Sequence, residues 1–276
     1  MKFYSPLRYP GGKSFLASEL DRVIQVIGLD KPTYLEPYAG GAGAALALLF
    51  TGRVKRIIIN DLDPAIFAFW KSATEKPDRF AQKILKTRVT ITEWRKQKKI
   101  YLDEKADIFE RGFATFFLNR TNRSGIMDAG PIGGMRQSGL YKIDARYNKK
   151  DLVTRVRAIG KHKKSIKVLN EDGISLTKRY LGEKNIFIYL DPPYFKKGAM
   201  LYLNHYKKDD HKKLADLLNI NANSNWILTY DEVVEIRNLY PDRRRKRLSL
   251  NYRVHDSSKT RQAHELMIFS DVIPKA

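Results

Sequence analysis

The chain has 276 residues, 43% hydrophobic and 30% charged, a balance that suits a soluble globular protein and excludes a disordered or fibrous one. It has no cysteine, which excludes disulfides, a thiolate metal site and a cysteine nucleophile, and no apolar run approaches the length that crosses a bilayer. Lys and Arg number 52 against 30 Asp and Glu, a formal charge of +22, and an excess of that size repels itself in a compact chain and serves a polyanionic partner. The first residues lack the apolar stretch of a secretory leader, so a cytoplasmic protein is expected. Five scattered histidines form no HExxH pair, and no metal is expected.

Taken in order, the chain first shows RYPGGKS, Arg8 to Ser14. A phosphate-binding GxxxxGK[ST] loop would need glycine at Leu7, so that reading fails. What remains is a glycine pair allowing close backbone approach beside Lys13, a cation able to hold a carboxylate. A first strand follows at Thr33–Glu36, then a glycine-rich turn (Gly40, Gly41, Gly43) and a small-residue helix over Ala44–Leu49. Strand, glycine turn and helix together place backbone N–H groups and a helix N-terminus over a ligand at the carboxyl edge of a sheet. The GxGxxG dinucleotide pattern fails at Leu46. The next strand, Ile57–Asn60, ends at Asp61, where a carboxylate can accept from ribose hydroxyls, and a helix is expected over Pro64–Ser72.

From about 71 to 164 the character changes. The segment 1–70 holds 8 basic and 6 acidic residues, 71–167 holds 25 and 10, and 168–276 holds 19 and 14. Two thirds of the net charge therefore sits in the middle of the chain. Basic helical segments run to Phe117, and a turn-rich stretch follows from Asn119 to Tyr147, with Gly125, Gly130, Gly133, Gly134 and Gly139. Loops of that length inside a compact protein are normally functional. Residues 71–164 read as a helical subdomain inserted between two halves of a sheet formed by 1–70 and 165–276.

Strands resume at Lys167–Leu169, Ile186–Leu190, Trp226–Thr229 and His264–Phe269, with helices over Asp209–Asn219 and Asp231–Leu239. Short β-branched runs alternating with helices predict a doubly wound, mostly parallel α/β sheet with right-handed crossovers. The strand Ile186–Leu190 runs straight into Asp191-Pro192-Pro193-Tyr194. Two prolines remove two N–H donors and stiffen the chain, which leaves carbonyl oxygens and the Asp191 carboxylate as acceptors beside an aromatic ring. Acceptors plus a ring are what a planar base with an exocyclic amine requires.

GGK near the N-terminus, EPYAGGAG after the first strand and DPPY about 150 residues later together resemble the Dam-type (alpha group, D12 class) DNA adenine-N6 methyltransferases. The resemblance spans the chain and includes Asp61, FFLNRTNRSGI (Phe116 to Ile126), VLNEDGISL around Asp172 and the terminal KTRQAHELMIF strand. It implies a Rossmann-like S-adenosylmethionine-dependent methyltransferase fold carrying an inserted helical DNA-recognition subdomain. It also implies double-stranded DNA as partner, a monomer as the working expectation, and S-adenosylmethionine as cofactor without a metal.

By the same resemblance, cofactor contacts fall on Tyr9 and Lys13, on the turn that includes Glu36, Tyr38, Gly40 and Gly43, and on Asp61, Asp172 and Asp191. Lys13 would meet the methionine carboxylate, Asp61 the ribose and Asp172 the adenine amine of the cofactor. Catalysis falls on Asp191, Pro192, Pro193 and Tyr194. The carboxylate and the Pro192 carbonyl would accept from the target amine, while the tyrosine stacks on the base. DNA contacts fall on Arg120, Arg123, Ser124, Asp128 and Arg136. The GATC-methylating branch carries Tyr-Asn-Gly-Leu-x-Arg after LNR, whereas here the aromatic is Arg123 and the reading arginine is Asp128. Arginine prefers guanine and a carboxylate prefers the cytosine amine, which argues against GATC. RNA adenine methylation, cytosine-N4 methylation and a non-enzymatic basic DNA-binding role are the competing readings.

Overall fold

Strands that are apolar on both sides must be covered on both sides, and this requirement sets the layers of the molecule. The structure, a computed structural model, describes residues 4–8, 13–195, 206–253 and 260–274. After helix α1 (Ala17–Val26) the chain runs β1 (Thr33–Glu36), α2 (Gly43–Phe50), β2 (Arg56–Asn60) and α3 (Pro64–Glu75). Four helices then follow without a strand: α4 (Pro77–Lys86), α5 (Ile91–Leu102), α6 (Ile108–Thr121) and α7 (Lys149–Lys161). The sheet resumes with β3 (Ile166–Leu169), α8 (Gly173–Tyr180), β4 (Ile186–Leu190), α9 (Lys208–Ile220) and β5 (Trp226–Asp231). Helix α10 (Val234–Leu239) and the strands β6 (Arg244–Arg253) and β7 (Thr260–Phe269) complete the described chain.

Among the described residues the strands form one seven-stranded sheet in the order β3-β2-β1-β4-β5-β7-β6. The first five are parallel, and β7 is antiparallel to both β5 and β6. Strand alternation divides the core in two. Tyr34, Ile57, Ile59, Phe187, Tyr189, Ile227, Met267 and Phe269 share one apolar cluster with α1, α2, α3 and the helices α4, α6 and α7. Leu35, Ile58, Ile188, Leu190, Leu228, Tyr230 and Ile268 join α8, α9 and α10 on the other face. The result is a mostly parallel, doubly wound α/β sheet.

Local chemistry sets the helix starts. Asp63, Thr90, Asp107, Asn148 and Asp172 each accept a backbone N–H from the first turn of α3, α5, α6, α7 and α8, the usual function of these side chains at a helix N-terminus. Helix α6 lies tightly on α3. A Cβ at Gly112 would come within 2.3 Å of the Ala68 carbonyl oxygen, and Phe69, Phe80, Phe113 and Phe116 interleave beside that crossing.

Two sequence expectations need correction. The helix expected from Asp231 starts at Val234, because Asp231 is the last rung of β5, paired with Glu265 of β7, and its carboxylate accepts from the Phe195 N–H at 3.0 Å. Strand β6 was not expected, since RRKRLSLNYR opens on four basic residues and alternates only afterwards, at Leu248, Leu250 and Tyr252. It lies at the sheet edge, where charge rather than apolar pattern guards an unpaired backbone.

Candidate active site

The strand order reverses at β1, which has β2 on one side and β4 on the other. The carboxyl edge at such a switch point is where open α/β sheets hold ligands. Two loops meet there, the glycine turn after β1 and the Asp191 corner after β4. The turn is held by side chains from three elements. Asn60 donates to the Pro37 carbonyl at 2.8 Å and to the Glu171 carbonyl at 2.9 Å, which ties the ends of β1 and β3 together. Trp70 of α3 donates to the Gly40 carbonyl at 2.8 Å. The Asp61 carboxylate accepts from Gly40 N–H and Asp63 N–H, both at 2.9 Å. Gly40 and Ala42 sit at φ 45°, in the left-handed region, just before α2 begins at Gly43.

Two carboxyl groups support this turn, Glu36 buried and Asp61 half-buried. Glu36 is buried and accepts from Tyr34 O–H at 2.8 Å and Ala45 N–H at 3.1 Å. Burial pushes its pKa up to about 8, and the nearby Asp191 charge adds to the rise. Burial likewise pushes Asp61 up to about 7 against its two N–H donors, with Asp63 adding a smaller push in the same direction. Tyr38 turns its ring against the start of α8, where a Cβ at Gly173 would come within 2.4 Å of it. The Tyr38 hydroxyl meets that of Tyr206 at 2.6 Å.

Strand parity assembles the other half of the site. Tyr189, Asp191 and Thr229 lie on the α2 face of the sheet. Glu265 joins them because β7 runs antiparallel and so brings its early residues to the carboxyl edge of β5. The Asp191 carboxylate accepts from Thr229 Oγ1 at 2.7 Å and from Tyr194 O–H at 3.2 Å on one oxygen, and meets Lys13 Nζ at 3.2 Å on the other. The Lys13 ammonium also meets Glu265 Oε2 at 3.0 Å and donates to the Tyr194 hydroxyl at 2.7 Å. A lysine with three N–H donors thus faces three acceptors. Lys13 and Glu265 are buried, whereas the Asp191 side chain keeps 22% of its surface exposed. Charges buried in this way add little net stability, because desolvation offsets their attraction.

The segment before Lys13 is fastened to α6 and α7. Asn119 of α6 accepts from Arg8 N–H and donates to the Arg8 carbonyl, each at 2.7 Å, and also donates to the Gly125 carbonyl at 3.0 Å. Arg8 donates to the Asn122 carbonyl at 3.1 Å, and Arg155 of α7 to the Ser5 carbonyl at 2.8 Å. Around this seam Arg8, Arg120, Arg146 and Arg155 come close enough to interact, and burial together with these neighbours lowers Arg120 to about 10.

The other residues singled out from sequence are placed as follows. Tyr9 lies outside the described residues. Asp172 caps α8 through Ser175 N–H at 2.8 Å. Pro192 is buried directly behind Asp191, and Pro193 is half-buried. Arg120 donates to the Arg146 carbonyl at 2.7 Å. Arg123, Ser124, Asp128 and Arg136 are exposed on the turns after α6, with Ser124 at φ 55° and Asp128 paired to Lys98 at 3.4 Å. Sequence reasoning passed over Glu265, Thr229, Asn60 and Asn119. The first two became visible only through strand pairing, and Asn119 stood inside the quoted FFLNR phrase without a role. Among the described residues no group of three or more His, Asp or Glu could hold a metal ion, and no helix is long and apolar enough to cross a membrane.

The family model described as D12 class N6 adenine-specific DNA methyltransferase matches residues 9–255. A type II methyltransferase of Methanocaldococcus jannaschii, M.MjaIII, is 23% identical over 228 residues, which cover 76% of this chain and 77% of that protein. Among solved structures, the rRNA methyltransferase aviRa from Streptomyces viridochromogenes aligns over 96% of this chain and 88% of its own at 15% identity and a TM-score of 0.43. Protein LPL1258 from Legionella pneumophila aligns over 97% and 88% at 13% identity and a TM-score of 0.33. At those scores neither structure bears on function.

Proposed function

The chain belongs to the D12 class N6 adenine-specific DNA methyltransferase family, and from that premise we propose that it transfers a methyl group from S-adenosylmethionine to the N6 amine of an adenine flipped out of duplex DNA. The observation that carries this reading is the placement of the Asp191 corner and the Asp61-braced glycine turn at one switch point of the sheet. The residues there fit such a cofactor. Asp61 and Asp191 offer carboxyl acceptors around a ribose and a sulfonium, Glu36 holds the turn by accepting from Ala45 N–H, and the turn from Tyr38 to Gly43 offers close backbone approach. S-adenosylmethionine supplies, when bound, an electrophilic methyl group.

The protein's part is acceptor placement. An exocyclic adenine amine is a poor nucleophile, because its lone pair is delocalised into the ring. In our reading the Asp191 carboxylate and the Pro192 carbonyl accept its two N–H groups and favour a pyramidal nitrogen with a localised pair. Lys13, Thr229 and Tyr194 fix the carboxylate for this, and holding reactants in line can be worth ~7–11 kcal/mol. Asp61 takes the ribose hydroxyls, and the Tyr194 ring stacks on the base. Lys13 is read as part of the Asp191 corner, where its carboxylate partners lie, rather than as a partner of the cofactor's carboxylate.

Extracting a base from the duplex costs roughly a few kcal/mol. Residues 71–164 together with Arg8 are read as the surface that compensates, with Arg8, Arg120, Arg146 and Arg155 toward phosphate and Arg123, Ser124, Asp128 and Arg136 on the side that meets bases. The test is product analysis. Duplex DNA incubated with the protein and labelled S-adenosylmethionine should yield N6-methyladenine on digestion; label in N4-methylcytosine, or in RNA alone, would overturn the reading.

A further inference from the structure

The family assignment leaves one buried carboxylate of the corner without a role. Glu265 of β7 lies 3.0 Å from the Lys13 ammonium, which itself lies 3.2 Å from Asp191. Two carboxylates therefore share one cation where a single ion pair would neutralise it. We propose that Glu265 is a positioning residue for methyl transfer: it draws Lys13 toward β7, so that the ammonium orients Asp191 without cancelling its charge. The inference rests on the methyltransferase reading above.

The physical reason lies in the charge count. As the N6–CH3 bond forms and the S–CH3 bond breaks, sulfur keeps the bonding pair and the nitrogen gains positive charge until one of its protons passes to the Asp191 carboxylate. A lysine paired with Asp191 alone would leave the corner neutral, with no net charge to favour that developing cation. With Glu265 ionised the three groups sum to one negative charge, which favours it. The Lys13 ammonium donates to the Tyr194 hydroxyl at 2.7 Å and lies within ion-pair distance of both Glu265 and Asp191. The Asp191 oxygen that faces Lys13 keeps acceptor capacity for the incoming amine, and its partly exposed side chain gives access.

The groups facing Glu265 are Lys13, Asp191, Tyr194 and Tyr189, with Asp231 as its cross-strand neighbour. Burial raises the Glu265 pKa, with the Asp191 charge adding to the rise, while Lys13 and Tyr194 oppose it. Protonation of Glu265 as pH falls would therefore remove the counter-charge above the ordinary carboxylate range and slow the reaction.

The experiment is single-turnover methyl transfer to adenine-containing duplex DNA from about pH 5 to about pH 9, with wild type, E265Q and E265D. Calorimetry of S-adenosylmethionine binding and circular dichroism run alongside. The expected result is a wild-type rate that falls on the acid side. E265Q should be slower by about ten- to a hundredfold at high pH, lack that acid limb, and bind the cofactor unchanged. E265D, which keeps the charge, should recover part of the rate and the limb. If E265Q does not fold, the wild-type and E265D profiles carry the test, and a flat profile in both overturns the inference. E265Q with a wild-type rate and profile also overturns it while leaving the methyltransferase reading intact. A folded wild type that methylates no DNA overturns that reading and the inference with it.

Discussion

The side-chain amide of Asn119 pairs with both backbone groups of Arg8, accepting from its N–H and donating to its carbonyl at 2.7 Å each. It does for one residue what a neighbouring strand would do, and five residues later the same segment delivers Lys13 to the Asp191 corner. Asn119→Ala removes these bonds and the one to the Gly125 carbonyl. Stability should fall by about 1–3 kcal/mol, read as a lower urea midpoint at unchanged slope. Asn119→Asp should do no better, since a carboxylate cannot donate to the Arg8 and Gly125 carbonyls. An aspartate variant as stable as wild type would show that the amide does not fasten this seam.

Stability should also carry a signature of the buried Glu36. Its pKa stands at about 8, above that of an unfolded glutamate. A group raised in the folded state contributes stability that is complete below its unfolded pKa and is lost as pH rises through the folded one. This contribution therefore declines from about pH 4 to about pH 8, and Asp61, raised to about 7, adds in the same direction. Glu36→Gln keeps an acceptor oxygen for Tyr34 and Ala45 but cannot ionise. Thermal unfolding of the two proteins should show the variant gaining on wild type as pH rises across that range. A constant gap would contradict the burial of an ionisable Glu36.

How much of this could be read from the sequence follows from which forces act locally. The strands β1, β2 and β4, the glycine turn and the Asp191 corner were legible, because buried parallel strands are apolar runs and turns need glycine and proline. Asp61 was legible from its place after β2. Glu265 was not, since its role depends on β7 running antiparallel beside β5, a pairing across more than thirty residues that no local pattern encodes. Strand β6 escaped for a related reason, as the first four residues of this edge strand are all basic and leave only a short alternation after them. The resemblance supplied Asp172 as a cofactor contact, and in the fold one oxygen of its carboxylate caps α8.

The charge of residues 71–164 makes a prediction about DNA affinity. If the basic residues of 71–164 and the arginines beside Arg8 engage six to ten phosphates, affinity should drop about 10³–10⁵-fold between about 50 and about 200 mM salt. Equilibrium binding to duplex DNA across that range checks it. A nearly flat dependence would mean that this surface does not meet the phosphate backbone. Arg120→Ala should lower the slope, whereas neutralising Lys212, paired to Asp216 on α9, should leave it alone.

The most direct test is the rate of methyl transfer by Asp191→Asn in a single turnover, on duplex DNA with labelled S-adenosylmethionine at saturating concentration. The substitution keeps the shape of the corner and one acceptor oxygen but removes the charge that meets Lys13 at 3.2 Å and accepts from Thr229. The account predicts a folded protein whose transfer rate to adenine falls at least about a hundredfold. A variant that methylates adenine at the wild-type rate would contradict it.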